Sequence, residues 1–301
     1  MDLKPWLEAR FGGEVKHCTP VTGGCIHRAW HVVRRDGSEL FAKTNAASAL
    51  PLLAAEAEGL VALAAAAPPE LTVPLPLDLG VAGDQAVLVL PWLALGGAGP
   101  GSASWWQLGE SLARLHRHSL AIACGSDDRC DGMVGWACDT WIGAAPQLNG
   151  WSSDWGLFFR DRRLAPQLER LARGGHRPAG AEALLALVPQ WLAGHGAPAC
   201  LVHGDLWSGN AGLLARGGSA IFDPAVHRGD REVDIAMAQL FGGFPAAFFE
   251  GYEQTWPLPA GHGNRAGLYN LYHFLNHANL FGGSYIGRVD TQIDRLLRCD
   301  W

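Results

Sequence analysis

Residues 201–210, Leu-Val-His-Gly-Asp-Leu-Trp-Ser-Gly-Asn, constrain this chain more than any other stretch. Asp205 is followed five positions later by Asn210, and thirteen residues further on Asp223 closes the apolar run Ile221-Phe222. Phosphoryl transfer needs such parts: an acid to take or orient the proton of an acceptor hydroxyl, and an amide oxygen and a second carboxylate to hold Mg²⁺ against nucleotide phosphates. Asp205 alone reads equally well as a short acid capping a turn. Asn210 and then Asp223, at the end of a strand, shift the reading to a catalytic base with two metal ligands.

The organisation of the chain fits that reading. Strands are expected over 15–17, 29–33 and 39–43, with Arg35-Asp36-Gly37-Ser38 as a hairpin turn. An alanine-rich segment over 51–66, with leucines at 52, 53, 60 and 63 and proline in its first turn, predicts a helix that Pro68-Pro69 stops. A strand pair around 77–79 and 86–90 follows, then the glycine-rich tract 96–101. Beyond it helices dominate, over 105–118, 155–173, 181–193, 234–240 and 265–281, with short strands near 200–202, 211–214 and 219–222. The expected architecture is α+β and bilobal: a β-rich lobe with its hinge over 1–93, and a larger helical lobe over 94–301.

Three features of the first lobe would serve a nucleotide. Lys43 lies on an apolar strand, where a lysine is costly unless it is paired or binds an anion. It can meet the α- and β-phosphates while Glu56 fixes its ammonium; Glu58, two positions round the helix, points elsewhere. The turn Thr22-Gly23-Gly24-Cys25 can cover phosphates with backbone N–H groups, and Cys25 at its tip is either a redox-sensitive thiol or a small inert residue. In Leu90-Pro91-Trp92-Leu93, Pro91 keeps the carbonyl and Leu93 the N–H that an adenine would need; the plain alternative is a strand ended by proline.

Composition narrows the remaining classes. With 49% hydrophobic residues a sizeable core is available, and a net charge of −6 without a basic block argues against nucleic acid as a partner. Seven cysteines without a CxxC pair suggest neither a zinc site nor a complete disulfide framework. The start, Met1-Asp2-Leu3-Lys4, lacks an apolar signal core, and the most apolar runs are too short to span a bilayer, so a cytoplasmic chain without a membrane partner is expected.

Taken together, the segment 201–210 with its Asp-Leu-Trp-Ser-Gly-Asn, Phe222-Asp223-Pro224-Ala225, the run 229–236 (Gly-Asp-Arg-Glu-Val-Asp-Ile-Ala), Asp139-Thr140-Trp141-Ile142-Gly143, residues 151–161, and Leu271-Tyr272-His273-Phe274-Leu275-Asn276-His277 through Gly282-Gly283 resemble the fructosamine kinase (ketosamine-3-kinase) family over nearly the whole length. The resemblance implies a protein-kinase-like fold and ATP-dependent phosphorylation of a ketosamine at its sugar 3-hydroxyl, whose product decomposes and frees the amine. It also implies Asp205 as base, Asn210 and Asp223 on Mg²⁺, and Lys43 with Glu56 on the phosphates. Asp234 looks like the buried acid supporting the catalytic loop. Trp207 could form a face for the sugar or pack between lobes, and Asn276 and His277 could reach the acceptor or stay within a packed helix. Pro91 in place of an acidic hinge residue, and His27 in place of a small polar one, depart from the family pattern.

Substrates on this resemblance are free ketosamines or glycated proteins. Oligomeric state is not legible. A kinase of the same fold acting on an aminoglycoside, a choline-like alcohol or another metabolite is the first alternative, although Asn276, His277 and Asn279 suit a neutral polyol better than a polycation. A silent nucleotide-binding or Cys25-based redox module is the second, and it predicts loss of Lys43, Asp205, Asn210 or Asp223, all of which are present.

Overall fold

β6 (Gln85–Pro91) explains the architecture of the first ninety residues, because every residue of its run 86–90 is buried. The side chains alternate between two covers. Ala86, Leu88 and Leu90 pack with Leu53, Leu60 and Leu63 of helix α2 (Leu50–Ala66), whereas Val87 and Val89 pack with Leu3 and Leu7 of helix α1 (Leu3–Phe11). The computed structural model describes residues 3–22, 27–96, 102–122 and 130–301. In it β1 (Val15–Val21), β2 (Arg28–Arg34), β3 (Glu39–Ala46), β6 and β5 (Asp78–Ala82) form one antiparallel sheet in the order β1-β2-β3-β6-β5. The short β4 (Leu71–Thr72) leaves that sheet and pairs in parallel with β11 (Ser219–Ile221), itself antiparallel to β10 (Ala211–Leu213).

By length and hydropathy 47–66 could cross a bilayer. Its composition has a simpler cause: α2 is wedged between the sheet and the helical part of the chain, with Leu53, Leu60 and Leu63 at 0% exposure. Gly59 lets it approach closely, since a Cβ there would lie 2.7 Å from Val226 Cγ2.

The second half is built on helices α3 (Ser102–Ser119), α4 (Trp155–Phe158), α5 (Ala165–Arg173), α6 (Ala181–Ala193), α7 (Glu232–Leu240), α8 (Ala246–Thr255), α9 (His262–Phe281) and α10 (Ser284–Arg298). α4 and α5 run together through one wide π-helical segment, Phe159–Leu164, so the expected helix over 155–173 is continuous but not regular. Two small ribbons, β7–β8 (Thr140–Ile142, Ala145–Gln147) and β9–β12 (Cys200–Val202, His227–Gly229), complete it. The expected bilobal α+β fold is present. α1, α8, α10, β4, β7–β8 and β12 are additions to the sequence reading, and each packs on or pairs with an expected element. Cys130 is disulfide-bonded, a cross-link that the cysteine spacing does not announce, while Cys138, Cys200 and Cys299 are free thiols.

α3 and α8 touch backbone to backbone. A Cβ on Gly109 would sit 1.9 Å from the Phe248 carbonyl oxygen, and one on Gly251 would sit 2.0 Å from that of Trp106. Glycine inside a helix costs about 0.5–1 kcal/mol relative to alanine, so these two positions trade local stability for contact. Gly109→Ala is expected to lower unfolding free energy by about 1–3 kcal/mol. Gly287→Ala, in α10 with nothing within 4 Å of its Cβ, should raise it by about 0.5–1 kcal/mol. Urea titration of the two variants checks both signs.

Candidate active site

β9 carries the chain to His203 and Gly204, where the backbone turns at φ +79° and a Cβ would meet the Ala225 carbonyl oxygen at 2.2 Å. Only glycine fits that turn. The loop beyond it is held by Asp234, in the first turn of α7 and 0% exposed. Its Oδ2 accepts the His203 N–H at 2.7 Å and its Oδ1 accepts the Gly204 N–H at 2.8 Å. His116 Nε2, from α3, lies 3.1 Å from the same carboxylate, and His116 Nδ1 lies 2.9 Å from the Tyr252 hydroxyl of α8. Burial works against the charge on Asp234, but the hydrogen bond and charge of His116, with the loop N–H groups, hold its carboxyl below the ordinary carboxylate value. His116 and Tyr252 were not foreseen; no local spacing links them to Asp234.

Asp205 follows directly. Asn210 Nδ2 donates to the Asp205 carbonyl at 2.9 Å, to its Oδ2 at 3.3 Å and to the Asp223 carbonyl at 3.3 Å. The amide nitrogen is thereby committed to the loop, and the amide oxygen is the atom left to serve as a ligand. Asp223 has φ +60°, the one non-glycine in the left-handed region among the described residues. Such a conformation is costly and recurs at functional sites. It follows β11, held there by the Phe222 N–H donating to Asn210 O at 3.0 Å and by His203 Nε2 at 3.0 Å from Phe222 O.

Lys43 is 7% exposed, and its Nζ sits 2.7 Å from Glu56 Oε1 and 2.7 Å from Asp223 Oδ1. Burial opposes its charge, but the two carboxylates overcome that and hold it protonated, above its ordinary range. The same ammonium holds Asp223 below its ordinary value against its burial. Asp205 goes the other way: burial first, then the Asp223 carboxylate, raise it to about 8, with Asn210 offsetting part of the shift. The oxygen donors of Asn210 and Asp223, one neutral and one anionic, are the chemistry a hard divalent cation takes.

Lys43, Glu56, Pro91, Leu93, Asp205, Trp207, Asn210, Asp223, Asn276 and His277 all line a single cavity of about 810 Å³. Asp234 lies behind it. Gly23, Gly24 and Cys25 fall outside the described residues. Trp207 is 37% exposed and folds over Gly209, where a Cβ would come within 2.3 Å of the indole. Asn276 is tied into packing: its Oδ1 accepts from Gln167 and its Nδ2 donates to the Ile142 carbonyl, each at 3.4 Å. His277 Nδ1 donates to the His273 carbonyl at 2.8 Å, which makes Nε2 the acceptor, and burial lowers its pKa. His27 also lines the cavity; burial and then the Lys43 charge lower it to about 4, so it is neutral there. Trp141, Phe241, Phe281 and Tyr285 also line the cavity, the last three against the His277 ring.

This fold is that of protein-kinase-like phosphotransferases. A thermostable mutant of an aminoglycoside phosphotransferase, solved as a ternary complex with ADP and hygromycin B, superposes with a TM-score of 0.64 over 99% of this chain and 98% of that one, at 15% identity. The family follows from the sequence match: the fructosamine kinase model covers residues 3–299, and the chain belongs to that family. A probable ketoamine kinase of Synechocystis sp. is 41% identical over 279 residues, 92% of this chain and 89% of that protein. One from Escherichia coli strain K12 is 36% identical over 285 residues, 95% and 94% of the two chains. The crystal structure of a protein from Thermobifida fusca assigned as a fructosamine-3-kinase matches with a TM-score of 0.82 and 29% identity over 99% of both chains. The chain is therefore a kinase.

The raised Asp205 value has a testable sign. An unfolded aspartate titrates near ~3.9, so its stabilising contribution is full below that pH and is lost as pH rises through the native value of about 8. Asp205→Asn escapes this loss. In chelator, without nucleotide, the melting temperature of the variant relative to wild type should climb between pH 5 and pH 9, as followed by scanning calorimetry. A pH-independent difference would contradict the assignment.

Proposed function

We propose that the protein phosphorylates the sugar 3-hydroxyl of ketosamines with ATP and Mg²⁺. Asp205 takes the hydroxyl proton as the oxygen attacks the γ-phosphorus and ADP departs. Asn210 and Asp223 are the residues that would hold the cation, which neutralises charge on the phosphates. Lys43, steadied by Glu56, contacts the α- and β-phosphates, and the carbonyl of Pro91 and N–H of Leu93 receive the adenine. Residues 1–93 supply the nucleotide side and 94–301 the acceptor side. Trp207 offers a ring face to the sugar, and His277 Nε2 a neutral acceptor for one of its hydroxyls. The phosphorylated adduct decomposes and releases the amine, so both small adducts and glycated proteins are substrates in this reading.

The observation that carries the proposal is the composition of the single cavity. Its carboxylates among the described residues are Glu56, Asp205 and Asp223, all engaged by Lys43 or Asn210. The rest of the acceptor side is aromatic or neutral, which suits a polyol on one amine rather than a polycationic aminoglycoside. The names of the relatives, ketoamine and fructosamine kinases, support the same class.

With ATP, Mg²⁺ and a ribulosamine or fructosamine, purified protein should release ADP in step with loss of the adduct. Asp205→Asn is expected to lower kcat by about 10²–10⁴-fold with little change in KM for ATP. Near-normal turnover by the variant would remove Asp205 as base. Turnover with aminoglycosides and none with ketosamines would remove the substrate class.

A further inference from the structure

Four rings on the acceptor side have no part in the chemistry above except for His277. Phe241, just past α7, lies 5.1 Å from the His277 ring, Tyr285 of α10 lies 4.9 Å from it, and Phe281 at the end of α9 lies 5.6 Å from it. Gly282 and Gly283 join α9 to α10 with φ +61° and +58°, a corner that residues with a side chain resist. That corner brings Tyr285 back against His277. All four rings line the cavity that holds Asp205 and Trp207.

We propose that this wall of Phe241, His277, Phe281 and Tyr285 binds the amine-bearing half of the adduct, meeting its secondary ammonium by cation–π contact and its carbon arm by apolar burial. The inference rests on the ketosamine reading and makes the wall the feature that separates aminated ketoses from plain ones.

Charge is the first support. A ketosamine carries an ammonium three bonds from the reacting C3, and the one lysine or arginine among the described lining residues is Lys43, locked between Glu56 and Asp223. Apart from Asp205 itself, no carboxylate among the described residues lines the acceptor side, so aromatic faces are what remains to meet the cation. Tyr285 already takes part in one such contact, with the Arg288 guanidinium 5.4 Å from its ring centroid. His277 gives its Nδ1–H to the His273 carbonyl, and burial lowers its pKa, which favours the uncharged ring.

Exposure is the second. Phe281 is 58% exposed, the most exposed large apolar side chain among the described residues, and it stands on the edge of the cavity rather than on an outer face. Substrate would cover it. Reach is the third. Phe241 follows Asp234 by seven residues on α7 and its cap, about 10 Å along the helix axis, so the wall is tethered within a small molecule's length of the catalytic loop.

The test uses the intact protein with three acceptors: the ribulose adduct of butylamine, the same adduct with its nitrogen acylated and uncharged, and ribulose. Wild type should prefer the charged adduct over either neutral acceptor in kcat/KM by about tenfold, and the acylated adduct over ribulose by a smaller factor. In Phe281→Ala and Tyr285→Ala this ratio should fall to about one to three. Phe281→Leu, which keeps apolar cover without a π face, should restore the preference for the acylated adduct over ribulose but not the preference for charge. Phe281 is exposed enough for its truncation to leave the fold intact, which circular dichroism verifies. Equal loss on all three acceptors, or an unchanged ratio, would overturn the wall as an amine site while leaving the kinase standing. Absence of turnover with every adduct would overturn the ketosamine reading and this inference with it.

Discussion

A carboxylate with 0% exposure organises the catalytic face of this protein. Asp234 accepts the consecutive N–H groups of His203 and Gly204, and its position on α7 is shared with a histidine from α3 that is bonded in turn to a tyrosine from α8. An isolated buried charge would be prohibitive, so its retention depends on every one of these donors. The close glycine-mediated contact of α3 with α8 is what brings His116 and Tyr252 into range. Packing, loop geometry and charge are thereby coupled at one residue, and Asp205 inherits its aim from that coupling.

Where the sheet meets the helical part, a second buried charge plays a comparable part. Lys43 comes from the sheet, Glu56 from α2 and Asp223 from the end of β11, so one ammonium ties three elements that are distant in the chain. α2 can reach it because Gly59 lets the helix sit against Val226, two residues past Pro224. The leucines of α2 belong to the same apolar cluster as residues of α3, β9 and α8, so the sheet-bearing part and the helical part are joined by a common core. The left-handed backbone at Asp223 is sustained within that frame.

Much of this was legible in the chain. Asp205, Asn210 and Asp223 announce themselves because the chemistry demands particular residue types at short separations, and the glycine, proline and leucine spacings mark α2 and the sheet strands. Asp234 was legible only through family resemblance. His116 and Tyr252 were not, since their bonds join residues 118 and 136 positions apart and neither sits in a pattern that local periodicity reveals. The aromatic wall escaped for the same reason: Phe241, Phe281 and Tyr285 come from the ends of three helices and meet only because Gly282-Gly283 turns the chain. α10 carries the helical spacing Val289, Ile293, Leu296 on its buried face, a signal that is readable in the sequence.

The hydrogen bonds of Asp234 to His203 and Gly204 would keep the loop in register for turnover. Asp234→Asn preserves shape but places an NH₂ against donors that now face oxygen. Steady-state ADP release by the folded variant, with nucleotide affinity measured alongside, tests it. The expected result is a fall in kcat of about 10–100-fold, the loss of one or two charge-assisted hydrogen bonds, with nucleotide affinity nearly unchanged. Wild-type turnover by a folded Asp234→Asn variant would contradict it.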